Sequence, residues 1–175
     1  MNKIILGLAL VIMIGCCAFT VIYVKKGAPK IAYVELESVY NDFELKKELE
    51  VKITTVQNLR KNILDSLKLQ LSALSNRYSV KKDEQTAREF EARKQEYYQK
   101  EKEFTENNTR TSKSYTDQIW KQLNQYAKDY GKEQGYTYIL GYDGQGALLY
   151  GQDAVNVTDA MKKYVNIRYK GGVSK

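Results

Sequence analysis

The segment "GYTYILGYDGQGALLYG", Gly135 to Gly151, reads as a β-hairpin: two apolar runs, "YTYIL" and "ALLY", flank "DGQG" at 143–146. The glycines of that tetrapeptide suit a tight turn. Both runs are apolar or aromatic at nearly every position, so both faces of the strands ask for cover. Only one other strand-like stretch is present, "KIAYVE" at 30–35, and a long helical excursion separates the two. The expected fold is therefore α+β, with a body formed by 30–43 and 135–175 and a helical arm over 44–134. Three short strands and a little helix bury too little apolar surface to stand alone. Self-association solves this, with bases from several chains sharing one core and their arms projecting together. The candidates for that core are Ile31, Tyr33, Tyr136, Tyr138, Leu140, Leu148 and Tyr150.

From Glu44 to Tyr78 the apolar positions Leu45, Leu49, Ile53, Val56, Ile63, Leu67, Leu71, Leu74 and Tyr78 mostly recur at three or four, with one heptad step between Val56 and Ile63. This spacing predicts an amphipathic helix of about 52 Å. "SVKKD" at 79–83 reads as a turn, with Asp83 placed to cap the next helix and Glu84 in its first turn. The return helix, 84–132, would be about 73 Å long. Its surplus length must overrun the outgoing helix and pack beside "LESVYNDF" at 36–43. Phe90, Tyr97 and Phe104 are spaced by seven, and Tyr115, Ile119, Leu123, Tyr126 and Tyr130 continue the stripe. Arg93, Lys94, Glu101 and Asn108 occupy the alternate layer that an ordinary coiled coil fills with apolar side chains. The distal arm should thus be thinly packed. Its rings read either as coiled-coil core or as ligand contacts, and a sparse seam accommodates both. Downstream, "NVTDAMKKYVNIRY" predicts a final amphipathic helix with Thr158 as its N-cap.

Several function classes lose support from composition. The chain has no histidine, the commonest general base and metal ligand. Its two cysteines, Cys16 and Cys17, are adjacent inside an apolar run, which makes neither a disulfide framework nor a zinc site. No phosphate-binding glycine motif is present, and the arm carboxylates read as helix-surface groups. Neither enzyme chemistry nor a cofactor is expected. The net charge of +7 owes four units to Lys3, Lys25, Lys26 and Lys30, with no acid among residues 1–30. Stretches 44–78 and 79–134 carry only +3 and +1, with acids and bases interleaved, so nucleic-acid binding is not indicated.

"IILGLALVIMIGCCAFTVIYV", Ile4 to Val24, is 21 residues without a charge, about 31 Å as a helix and close to the hydrocarbon thickness of a bilayer. Residues 1–29 therefore read as a membrane anchor or signal segment with its linker. A lipoprotein signal would be cut before Cys16, and a secretory signal would show a shorter core and a small-x-small site. The apolar run continues past both cysteines, which suits a retained anchor best. Lys25, Lys26 and Lys30 outnumber Lys3, and by the positive-inside rule alone they would hold the following domain in the cytoplasm.

The order "KIAYVELESVYNDF", long helical hairpin, "GYTYILGYDGQGALLYGQDAVNVTDAMKKY" resembles the Skp (OmpH) family of periplasmic chaperones over about residues 30–170. The marks that carry the resemblance are Ile31–Val34, Tyr136–Tyr142, Ala147–Tyr150 and Val157–Met161. It implies a homotrimer with a small barrel-like body and three arms around a cavity. Family members hold unfolded outer-membrane proteins there without ATP. The resemblance also implies a periplasmic location, here with an inner-membrane anchor over 4–24, against the lysine count. Client-contact candidates are then Tyr78, Arg88, Phe90, Arg93, Lys94, Tyr97 and Phe104. The rival reading is a structural tether of the envelope, a membrane-anchored coiled-coil spacer with no client.

Overall fold

The computed structural model describes residues 13–14, 27–146 and 148–171. In chain order the elements are β1 (Ile31–Glu35), α1 (Leu36–Asp42), α2 (Glu44–Lys81), α3 (Glu84–Glu133), β2 (Tyr138–Tyr142), a 3-10 turn (Asp153–Val155) and α4 (Thr158–Tyr169). The hairpin arm is α2 and α3, of 38 and 50 residues, or about 57 and 75 Å at the helical rise. The surplus length of α3 covers the base as its sequence predicts. Trp120 stacks on Tyr40 with ring centroids 5.0 Å apart, and Tyr126 meets Phe43 edge-on at 6.2 Å.

The turn at the arm tip is shorter than "SVKKD" suggests. Helix α2 continues through Ser79, Val80 and Lys81, and only Lys82 and Asp83 link the two helices. Lys82 takes the left-handed conformation at φ 49° and donates its N–H to Tyr78 O at 2.9 Å, which closes α2. Asp83 caps α3 as expected: its two carboxylate oxygens accept from the Thr86 N–H and hydroxyl, each at 2.8 Å. Those bonds, the backbone N–H first, hold the Asp83 carboxyl below its ordinary value.

The sheet differs from the expected hairpin. β1 and β2 pair in parallel, Ile31 opposite Tyr138 through to Glu35 opposite Tyr142, and the whole arm is the crossover between them. "DGQG" does turn: the Gln145 N–H bonds Asp143 Oδ1 at 2.9 Å and Gly144 has φ +73°. The chain does not return as a strand, and no strand includes Leu148–Tyr150; Ala147 lies outside the described residues. Leu149 and Tyr150 are 83% and 79% exposed, so their apolar run finds no cover inside one chain. The second edge of β1 is used further on. Gly151 passes so close to Tyr33 that a Cβ there would stand 2.5 Å from its ring. Tyr33 then bridges to Asn156, and its carbonyl accepts the Val157 N–H at 2.9 Å.

Helix α4 begins at Thr158, one residue away from the expected capping geometry. Asn156 Oδ1 accepts the Thr158 N–H at 2.9 Å and its hydroxyl at 2.6 Å. The Thr158 oxygen is thereby free to accept the Glu35 N–H at 3.0 Å, tying α4 to the end of β1. Under the sheet, Phe43, Met161 and Val165 are fully buried, with Val34, Val39, Ile119 and Leu123 around them.

Among the described residues, no helix is long and apolar enough to cross a membrane. Apart from Met13 and Ile14, the 4–24 run expected to be an anchor lies outside them.

Candidate client-binding arm

The arm is fastened at its root by side chains distant in sequence. Phe43 interrupts the α1–α2 path and offers no side-chain cap to α2. Asn166 of α4 supplies one instead. Its Oδ1 accepts the Glu44 N–H at 2.9 Å, while its Nδ2 donates to the Asp42 carbonyl and carboxylate, both at 3.2 Å. On α3, the Tyr164 hydroxyl donates to Glu133 at 2.9 Å, and burial, aided by that bond, pushes the tyrosine up to about 12. Lys30 closes the other end of α3: its Nζ donates to the Gln134 carbonyl at 2.8 Å and lies 4.1 Å from the Tyr136 ring centroid.

Beyond the root, packing thins as the polar seam positions predict. Between Leu49 and Ile119 the buried side chains are Leu67, Thr86 and Tyr97. Phe90, Tyr97 and Phe104 do form one stripe on α3, and each ring carries a cation. Lys94 stands 6.0 Å from Phe90, Lys68 5.6 Å from Tyr97, and Arg60 5.5 Å from Phe104. Tyr97 is buried and donates to Glu101 at 2.8 Å, a bond that pushes its hydroxyl up, whereas Phe90 and Phe104 are half-buried. Arg60 also bonds Asn108 across the seam. A cleft of about 560 Å³ opens between the helices where Ala73 and Leu74 face Ala92 and Arg93.

Of the predicted cations only Lys94 stands over a ring of the stripe, and all three pair with carboxylates. Arg88 pairs with Glu84 at 2.6 Å, Arg93 with Glu96, and Lys94 with Glu91 at 3.4 Å, all along α3 itself. Tyr78 is exposed near the tip. In the base, Ile31, Tyr138, Leu140 and Tyr150 are exposed, while Tyr33, Tyr136 and Leu148 are half-buried. Tyr138, Leu140 and Tyr142 share the outer face of β2.

Two features were missed in the sequence. One is the Asn166 clamp, which has no local signal. The other is apolar surface on α2: Val51, Leu59 and Leu69 are 66%, 60% and 73% exposed. Their signal was present, since these residues fall off the three-four stripe yet are apolar.

The architecture is a long two-helix arm standing on a small α/β base, with the apolar seam of the arm left partly open. The chain belongs to the OmpH-like outer membrane protein family, whose model matches residues 30–165. Its fold is similar to a crystal structure described as an OmpH-like outer membrane chaperone from Caulobacter crescentus CB15. That likeness has a TM-score of 0.71 at 15% identity, covering 85% of this chain and 90% of the other. No curated protein sequence matches the chain closely enough to count as a relative.

Proposed function

We propose that the protein is a holdase for unfolded outer-membrane proteins, which it grips with its arm and keeps from aggregating without using a nucleotide. The observation that carries this reading is the open seam: a 57 Å helix and its partner bury only three side chains between Leu49 and Ile119. A spacer gains nothing from so thin a core, whereas a surface that must accept many unfolded segments gains from adaptable rings and long cationic side chains. Three copies would join through the outer face of β2 and the exposed Leu149 and Tyr150, setting their arms around a shared cavity. The domain works in the periplasm, with residues 4–24 anchoring it to the inner membrane.

The test uses the full chain in phosphatidylcholine nanodiscs. It should suppress aggregation of a urea-diluted β-barrel protein at near-stoichiometric ratios and show a trimeric mass. Leu140→Asp places a charge at a position exposed in the single chain, so it should leave each protomer folded and lower the mass. A wild-type chain that suppresses nothing overturns the holdase reading, and an unchanged mass for Leu140→Asp overturns this trimer interface.

A further inference from the structure

The last turns of α3 carry cations that nothing else in the base answers. Lys128 and Lys132 are exposed and lie four residues apart on one side of the helix. Among the described residues neither makes an ion pair within 4.0 Å. They border a pocket of about 300 Å³ whose lining includes Gly131, Tyr136, Thr137 and Ile139 and no acid. Gly131 allows the pocket its floor: a Cβ there would stand 3.4 Å from Ile139 Cδ1, so β2 closes directly on the helix. The acids next to the lysines in sequence are engaged elsewhere. Asp129 accepts from Gln125 Nε2 at 3.0 and 3.1 Å, and Glu133 accepts from the Tyr164 hydroxyl at 2.9 Å.

Lysines in the last turns of a helix ordinarily answer its dipole and its free carbonyls. Here that place is taken. Lys30 Nζ holds the Gln134 carbonyl at 2.8 Å, the Tyr136 N–H bonds the Gly131 carbonyl at 2.8 Å, and the Gly135 N–H bonds the Lys132 carbonyl at 3.3 Å. Lys128 and Lys132 are surplus to it. The pocket also stands apart from the proposed contact between copies, because Ile139 faces α3 whereas Tyr138 and Leu140 share the outer face of β2.

The chain enters the base at this same end. The Lys30 carbonyl accepts the N–H of Thr137, a wall of the pocket, at 2.7 Å. Only residues 25–29 separate Lys30 from the uncharged run 4–24, and two of them are Lys25 and Lys26. The six Cα steps from Val24 to Lys30 reach at most about 22 Å. With 4–24 in the bilayer, the pocket is therefore tethered within reach of the headgroups. The arm tip at Asp83 lies at the other end of α3, about 75 Å away along the helix.

We infer that the pocket between Lys128 and Lys132 is a binding site for the phosphate of an anionic membrane lipid, which seats the base on the bilayer and points the arm away from it. This rests on the anchor of the proposed function and adds a ligand class, a site and an orientation. Lys25, Lys26 and Lys30 supply the basic collar around the tether, and the two α3 lysines extend it onto the folded base. The collar also gives Lys25 and Lys26 a use on the side of the membrane where the positive-inside rule disfavours them.

The experiment follows hydrogen exchange of the full chain in phosphatidylcholine nanodiscs, in nanodiscs containing phosphatidylglycerol, and in phosphatidylcholine nanodiscs with added inorganic phosphate. It compares wild type with Lys128→Gln/Lys132→Gln and with the Lys128→Arg/Lys132→Arg counterpart. Phosphatidylglycerol should slow exchange over residues 128–137 of wild type about threefold at low salt, and high salt should abolish the effect. The Arg pair should respond as wild type does. The Gln pair should exchange as wild type does in phosphatidylcholine and show no response to phosphatidylglycerol. Equal responses from wild type and the Gln pair overturn the site while leaving the anchor standing. Slowing by inorganic phosphate alone assigns the pocket to a free anion, and a Gln pair that already exchanges faster in phosphatidylcholine assigns the lysines to the helix end; each overturns the lipid site. Protection by phosphatidylglycerol over 77–86 instead would lay the arm tip on the membrane and overturn the orientation. A full chain that does not enter nanodiscs removes the anchor, and this site with it.

Discussion

Phe43 and Tyr97 are both buried aromatic rings, yet their surroundings have little in common. In the base, Phe43 is 0% exposed, wedged between the edges of Tyr126 and Tyr169 and held near Met161 and Val165. In the arm, Tyr97 relies on one ammonium, one carboxylate and a neighbouring tyrosine. The base is built from contacts that are distant in sequence and mutually dependent; the arm repeats local helix with few cross-links. A change in the base should therefore be felt everywhere, and a change in the arm only nearby. This division is what the proposed holdase function requires, a fixed base and an arm that adapts to irregular cargo.

The strongest way to break the comparison is Phe43→Ala. Removing a fully buried ring at the α1–α2 junction should cost about 3–5 kcal/mol, read as a lower denaturation midpoint for the whole domain. A loss below about 1 kcal/mol would mean that the base repacks as freely as the arm. Next in size is Asn166→Ala, which leaves the Glu44 N–H and the Asp42 carbonyl without their partner at a half-buried site. It should cost about 1–3 kcal/mol and raise hydrogen exchange in the first turn of α2 without altering the tip.

These two residues also show how far the sequence could be read. The arm was legible because its evidence is local: apolar spacing of three and four, polar residues in alternate layers, and Asp83 three residues before Thr86. The overrun of α3 onto 36–43 followed from helix length alone. The sheet was misread because "DGQG" carries true turn chemistry, and local turn chemistry says nothing about which strand comes next. The partner of Tyr138–Tyr142 is β1, more than a hundred residues earlier, and the other side of Tyr33 is taken by Gly151 and Asn156. Thr158 was placed one step wrongly for a related reason: Asn156 two residues before it provides the better acceptor and frees its hydroxyl for Glu35. Among the candidate contact residues, the α3 rings were found by their spacing of seven. The exposed apolar face of α2 was passed over because Val51, Leu59 and Leu69 fall off the three-four stripe that carries the helix pattern.

The smallest expected effect lies at the tip. Asp83→Ala removes the α3 cap and should fray the first turn of that helix while leaving the base midpoint unchanged. The pH dependence has a definite sign. The folded carboxyl titrates below its unfolded value, so its contribution is present above the unfolded value and disappears as pH falls through the depressed one. Amide exchange near Thr86 should therefore rise on acidification in wild type, and be high and less pH-sensitive in Asp83→Ala. Equal exchange in both proteins at neutral pH would show that the cap does not hold the tip.

The most direct measurement of the division of labour is hydrogen exchange of the full chain in phosphatidylcholine nanodiscs, with and without an unfolded β-barrel protein. Client addition should slow exchange along the arm between Leu49 and Ile119 and leave Val34, Val39 and 161–165 unchanged. Protection centred on the base, or an arm that exchanges identically with and without client, would contradict the assignment of holding to the arm and assembly to the base.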